Sequence, residues 1–275
     1  MILKSFSKIN LTLRVLNKKK NKMHNIETNS VLVDLHDKIY INKNKKNIIL
    51  FKGVFRKNIG KKNTVFKTIK ILRKLKVING NYKIVIDKNI PIFAGLGGGT
   101  GNSFSLVKYF LKNRINENLI KLFENQIGSD FRLFLNNISF QKNLNRVIKN
   151  KNNLKCYFII IFPFINCKTK NIYKMVKTFS SPSDHSYLKK MKGSQLINKL
   201  KKDRNDLQKV VEKKYPKIAK IIQTISSQKG CLFSRMTGSG SSCYGVFNQK
   251  KTAKDALINL KRKYPNYWCD ITKTI

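Results

Sequence analysis

Between Ala94 and Asn102 the chain reads AGLGGGTGN, which places five of its 14 glycines within seven residues. Glycine loses more backbone freedom on folding than any other residue, so such density implies that something approaches the backbone closely. Upstream, Tyr82 to Ile86 (YKIVI) has the composition of a strand. Downstream, Phe104, Val107 and Leu111 recur at helical spacing. A linker would be polar on both sides. Strand, glycine loop and helix in that order suit a phosphate cradle. Backbone N–H groups at a helix N-terminus carry partial positive charge, and glycine lets phosphate oxygens reach hydrogen-bond distance. Tight packing of the helix against a neighbour is the alternative. The loop has neither the Lys-Ser/Thr ending of a P-loop nor a G-x-G-x-x-G register.

The flanking segments predict a mixed chain. Leu11 to Leu16 reads as a strand ending in a polar turn at Asn17 to Asn21, and Val31 to Leu35 pairs with Lys38 to Ile41 around His36-Asp37. Val65, Ile69, Leu72 and Leu75 fall at helical spacing, as do the segments Asn205 to Lys214, Ile218 to Ser226 and Thr252 to Lys263. Tyr157 to Phe164 reads as a buried strand, Ser180 to Gly193 as a polar connection, and Arg235 to Phe247 as a strand broken by a glycine turn. The class is α+β with a boundary near residue 150, and 41% hydrophobic content is ample for a core.

Lys and Arg number 58 against 13 Asp and Glu, a net charge of +45. This fits a polyanion partner or a drift of composition towards Lys, Asn and Ile. The short basic runs (Lys18-Lys19-Lys20, Lys61-Lys62, Lys189-Lys190, Lys201-Lys202, Lys213-Lys214, Lys250-Lys251) are scattered from end to end. That pattern favours drift, with non-specific polyanion binding at low salt expected either way. Five cysteines without a C-x-x-C pair predict reduced thiols in a cytoplasmic protein. The longest apolar run, Cys156 to Ile165, holds Pro163 and is too short to span a bilayer, and the start lacks a signal-peptide core. No membrane partner is expected, and nothing in the sequence sets an oligomeric state.

Among the scarce acids, Asp130 precedes apolar Leu133 to Leu135 and is a candidate base, or else a helix cap. Lys8 is the single charge within Phe6 to Leu13, where a buried lysine would need an anionic partner; an ordinary solvated lysine is the alternative. His24 reads locally as structural, and the turn Gly238-Ser239-Gly240 as a hairpin turn or a second glycine-lined contact.

Ser7-Lys8-Ile9-Asn10-Leu11 resembles the A-K-I-N-L opening of the GHMP small-molecule kinases. Pro91 to Asn102 resembles their glycine signature, and Met236-Thr237-Gly238-Ser239-Gly240-Ser241 their third motif. Further segments are similar to the branch that acts on diphosphocytidyl-methylerythritol in non-mevalonate isoprenoid synthesis. Lys22-Met23-His24-Asn25 matches its G-Y-H-E/T, Gly128 to Arg132 its G-A-D-V-P, and Asn63 to Leu72 its N-L-V-x-K-A helix. Asn205-Asp206-Leu207 with Tyr215-Pro216 matches its N-D-L-E…Y-P helix.

The resemblance implies a GHMP kinase fold, with a ribosomal-protein-like, ATP-binding half over residues 1–150 and a ferredoxin-like half over residues 151–275. It implies Asp130 as the base that accepts the substrate hydroxyl's proton and Lys8 as its partner. Pro91, Gly95, Leu96, Gly97, Gly98, Gly99, Thr100, Gly101 and Asn102 would form the ATP phosphate site, with Asn63 near the adenine. Asn10, Met23, His24, Tyr173, Gly238 and Ser239 would meet the substrate, His24 reading the cytosine edge and Tyr173 stacking on it. Mg2+ would accompany ATP, with no residue assigned as its ligand.

The chain also departs from the pattern. Met23 replaces a stacking tyrosine, and Gly101 replaces a serine of the phosphate or metal shell. Phe131-Arg132 replaces a small residue and proline, and the turn Asn143 to Arg146 lacks the family's glycines and acid. Lys22 and Arg132 are candidates to favour the substrate diphosphate. The competing expectations are a homoserine or mevalonate-type kinase and a basic nucleic-acid-binding protein.

Overall fold

A computed structural model describes residues 1–18, 23–57, 59–60, 63–144, 146–149, 154–183, 191 and 193–275. Two compact units interleave along the chain. The first takes residues 1–8, 35–92 and 97–135; the second takes 9–34, 93–96 and 136–275. Strand β1 (Ile2–Asn10) opens in the first unit, and the long strand β3 (His24–Lys43) passes from the second to the first at Leu35.

In the first unit, β5 (Tyr82–Asp87) lies between the end of β3 and β4 (Ile48–Lys52). It runs antiparallel to β3, with Ile39 opposite Ile86 and Ile41 opposite Ile84, and parallel to β4. The alternation of YKIVID puts Ile84 and Ile86 inside, as a period of two requires. Helix α1 (Thr64–Lys74) buries Val65, Ile69 and Leu72, and sealing one such Leu from water contributes about 1.5–3 kcal/mol. Helix α2 (Gly98–Phe110) starts on residues of poor helix propensity, so packing holds it: Phe104, Leu106 and Val107 are all buried. Helix α3 (Glu117–Gln126) and a 3-10 segment (Ser129–Leu135) complete this unit.

The second unit holds β2 (Arg14–Lys18), the first half of β3, β6 (Ile138–Asn143) and β7 (Arg146–Lys149), paired antiparallel. Its other sheet runs β11 (Trp268–Lys273), β8 (Tyr157–Phe162), β10 (Cys243–Phe247) and β9 (Phe233–Met236), again antiparallel. Being central, β8 reads YFIIIF and is buried along nearly its whole length. Ile159 and Ile161 pack with Ile218, Ile221 and Ile225 of α7 (Lys217–Ser226), and with Ala253, Ala256 and Leu260 of α8 (Lys250–Lys263). Phe158 meets Tyr244 edge-on, and the Tyr244 hydroxyl donates to the Leu11 carbonyl at 3.1 Å. Helices α4 (Thr169–Lys174), α5 (Gly193–Lys202) and α6 (Asp206–Lys214) also belong here.

Two expected elements differ. The run Leu11 to Leu16 is not one strand: β1 stops at Asn10 and β2 begins at Arg14. Between them Leu11 N donates to Asn29 O at 2.7 Å and Leu13 N to Arg204 O at 2.9 Å, so separate partners break the ladder. Nor do His36-Asp37 form a turn, because β3 runs straight through them. Asp37 is wholly buried, and its carboxylate accepts the N–H groups of Asn89 and Ile90 instead of closing a hairpin. Lys22, Asn145, Lys61-Lys62, Lys189-Lys190, most of the turn Asn17 to Asn21, most of the polar connection to Gly193 and the boundary near residue 150 lie outside the described residues.

Candidate active site

Lys8 lies near the end of β1, 2% exposed, and Asp130 is the second residue of the 3-10 segment. Lys8 Nζ stands 3.1 Å from Asp130 Oδ2, and the aspartate side chain keeps 32% of its surface open. Burying an ammonium is tolerable only with a partner, and here one carboxylate supplies it while still facing water. A carboxylate held in this way can take a proton from a hydroxyl, with the lysine offsetting charge on the reacting oxygen.

The same unit carries the start of α2. Gly97 is its N-cap, left-handed at φ 70°, and gives no side-chain cap bond; a Cβ there would stand 3.0 Å from Lys8 Cγ. Helices α1, α3 and α6, by contrast, begin on Asn63, Asn116 and Asn205, whose side chains accept first-turn N–H groups. The first turn of α2 thus keeps donors that its own cap does not satisfy. Gly98 backs onto Ile90, Gly99 onto Thr64, and Gly101 onto the Phe6 carbonyl and Phe134. Close packing, the alternative reading of the glycines, therefore accounts for these positions in part. Asn102 is 2% exposed, with its side-chain Oδ1 unbonded, and Pro91 is buried. Asn63 acts as the α1 cap, and its amide donates to Gly60 O at 2.7 Å.

In the second unit the two glycine turns meet. Ser242 N donates to Ala94 O at 3.2 Å, Thr237 Oγ1 to Gly95 O at 3.3 Å, and a Cβ on Gly95 would collide with the Thr237 carbonyl. Leu96 is buried at 1% exposure. Asn10 N donates to Thr237 Oγ1 at 3.0 Å and its amide to Thr28 Oγ1 at 2.9 Å, so this side chain is committed inside the fold. Asn205 Nδ2 reaches Met236 O and Gly238 O, both at 2.8 Å, and Ser239 Oγ lies 3.0 Å from Thr169 Oγ1. Thr237 is the hub that sequence reading did not single out; its place inside the third motif was the available signal.

The rings of His24 and Tyr173, far apart in the chain, meet tilted by 33° at 5.1 Å between centroids, with Phe179 at 6.4 Å from His24 and Met23 exposed. Burial first, and then the positive charge of Lys18, hold the His24 imidazole below its usual range, so the ring is neutral at pH 7. A neutral imidazole offers one donor and one acceptor to a base edge. Arg132 does not present its charge to a ligand: it is buried, and Glu117 and Glu124 occupy its guanidinium.

The five cysteines are free, and burial pushes the Cys156, Cys167, Cys231 and Cys269 thiols up to about 11, which rules them out as thiolate nucleophiles near neutral pH. Among the described residues no helix is long and apolar enough to cross a membrane. Nor, among those residues, is there a group of three or more His, Cys, Asp or Glu arranged to hold a metal.

The profile of the GHMP kinases N terminal domain matches residues 63–130, and that of the GHMP kinases C terminal region matches residues 186–266. A 4-diphosphocytidyl-2-C-methyl-D-erythritol kinase of Pelagibacter ubique is 39% identical over 280 residues, covering 99% of this chain and 98% of that protein. The crystal structure of a 4-(cytidine 5'-diphospho)-2C-methyl-D-erythritol kinase superposes with a TM-score of 0.77 at 19% identity, over 99% of both chains. The mevalonate kinase of Methanococcus jannaschii gives 0.67 at 17% identity, over 100% of this chain and 98% of that one. At such identities the structural likeness establishes the fold, while the full-length sequence relative establishes the branch. The chain belongs to the GHMP kinases and, within them, to the 4-diphosphocytidyl-2-C-methyl-D-erythritol kinase family.

Proposed function

We propose that this chain transfers the γ-phosphoryl group of ATP to the 2-hydroxyl of 4-diphosphocytidyl-2-C-methyl-D-erythritol, a step of non-mevalonate isoprenoid precursor synthesis in the cytoplasm. The observation that carries the reading is the Lys8–Asp130 pair: a 3.1 Å contact between a buried ammonium and a carboxylate open to water. Asp130 accepts the hydroxyl proton as the oxygen attacks the γ-phosphorus and the bond to the β-phosphate oxygen breaks. Lys8 steadies the hydroxyl and the charge that develops on it. The first-turn N–H groups of α2 and the Thr100 hydroxyl receive phosphate oxygens, and His24 with Tyr173 receives the cytosine. Mg2+ accompanying ATP would neutralise the charge of the phosphate oxygens. Residues 1–150 form the ATP-binding half in this reading and residues 151–275 the C-terminal half.

A coupled ATP-consumption assay tests it, with the diphosphocytidyl substrate set beside homoserine and mevalonate. Turnover should appear with the diphosphocytidyl substrate and not with the other two. Asp130→Asn should lower kcat about 10²–10⁴-fold, the usual worth of a positioned base, with unchanged circular dichroism. Wild-type turnover in that variant would remove Asp130 as the base, and phosphorylation of homoserine or mevalonate alone would remove the substrate.

A further inference from the structure

Asp130 owes its place to a segment that needs outside support. A 3-10 helix has poorer hydrogen-bond geometry than an α-helix and seldom runs beyond four residues, yet this one spans the seven residues Ser129–Leu135. Apolar packing holds one side: Phe131 stacks on Phe123 at 5.2 Å and meets Phe104 edge-on at 5.4 Å. Arg132 holds the other. Its Nη1 and Nη2 donate to the two oxygens of Glu117 at 2.9 and 2.7 Å, and its Nε and Nη2 to the two oxygens of Glu124, both at 2.9 Å. Glu117 and Glu124 lie two helical turns apart on one face of α3, so a single guanidinium spans both carboxylates. Arg132 itself is only 7% exposed.

In the pattern that this chain otherwise resembles, the second residue after the aspartate is proline, which restricts the backbone by its ring. Here the position is restrained by charge and hydrogen bonds instead. We propose that Arg132, gripped by Glu117 and Glu124, is a positioning residue that holds the 3-10 segment on α3 and so keeps the Asp130 carboxylate within reach of Lys8. The proposal rests on the reading of Asp130 as the base. Geometry of this kind is worth much in rate, because misplacing a catalytic group by about 1 Å costs on the order of 100-fold. Lysine cannot do the same work, since its ammonium is a point donor without the planar fork that engages two carboxylates.

The experiment is a kinetic double-mutant cycle on the full chain, with Arg132→Met, Arg132→Lys, Asp130→Asn and Asp130→Asn/Arg132→Met assayed with ATP and the diphosphocytidyl substrate. Arg132→Met should lower kcat roughly 10–100-fold while both KM values stay within about twofold. Arg132→Lys should recover little of that loss. Once Asp130 is gone, Arg132→Met should cost almost nothing more, because a group that acts only through Asp130 has nothing left to position. A purely structural role would lower the yield of active enzyme by the same factor in both backgrounds. That equal loss would overturn the proposal, as would an unchanged kcat in Arg132→Met, or a rise confined to KM. If Arg132→Met does not fold, Glu124→Gln, which keeps the arginine and the Glu117 bonds, serves in the same cycle with the same outcomes. An Asp130→Asn enzyme as active as wild type removes the base reading and this proposal together, whereas a failed cycle removes the positioning role alone.

Discussion

Gly97 combines two demands that no other residue type meets. Its φ of 70° is left-handed, and a Cβ there would press at 3.0–3.1 Å on Lys8 and Phe134. Gly97→Ala should therefore cost about 1–2 kcal/mol in urea unfolding for the backbone alone, and should lower kcat as Lys8 is pushed aside. Gly99→Ala is the control for the unfolding measurement alone, since Gly99 belongs to the proposed phosphate site: that position lies within the helix, and its new Cβ meets only the end of Thr64 at 3.2 Å. Equal losses of stability in the two variants would show that the glycines matter merely as small residues. Gly101 has a reason of its own, since a Cβ there would lie 2.8 Å from the Phe6 carbonyl oxygen on the buried side of α2. The density of glycine was legible in the sequence, but the separate reason at each position was not. It depends on which strand lies behind the helix.

The elements with a strong period of their own, α1, α6, α7, α8, β5 and β8, were legible because one apolar face recurs at helical spacing, or because nearly every residue is apolar. The length of β3 and the 3-10 segment were not, since neither has such a signature. Asp37 shows why. In sequence His36-Asp37 looks like a polar turn, but in the fold Asp37 is fully buried within β3, ion-paired to Lys88, and bonded to Asn89 N at 2.7 Å and Ile90 N at 2.9 Å. It thereby anchors the stretch that leads from β5 towards the glycine loop. Asp37→Asn would keep the shape but leave the Lys88 ammonium without a counter-charge, and should destabilise the fold by about 3–5 kcal/mol in chemical denaturation. A loss below about 1 kcal/mol would mean that water or another group takes over, and that the pair is dispensable.

Across the whole molecule the charge of +45 contrasts with the way the 13 acids are placed. Asp37, Asp87, Glu117, Glu124, Asp130, Asp203 and Asp206 each pair with a Lys or Arg, and Glu27 and Asp34 accept hydrogen bonds from Ser183 and Thr272. Most acids are thus bound into the fold, as expected if composition drifted on the surface while the carboxylates the fold requires were kept. Binding to heparin or to unrelated RNAs should therefore be non-specific. Its log affinity should fall linearly with log salt, by a thousandfold or more between about 50 and 200 mM if some six or more phosphates are contacted. Tight, salt-resistant binding to one RNA sequence would sink the drift account. The sequence by itself determined what depends on local order along the chain: the helices and strands with clear periods, the glycine loop between β5 and α2, and the succession of motifs that marks the family. Only the tertiary structure decided the 3.1 Å contact between Asp130 and Lys8, a pairing the family resemblance implied without geometry, that Arg132 grips two glutamates, and that the His24 ring meets Tyr173. Charge pairs and ring contacts act over a few ångströms in space, and the chain brings distant residues to that range only when its apolar faces pack.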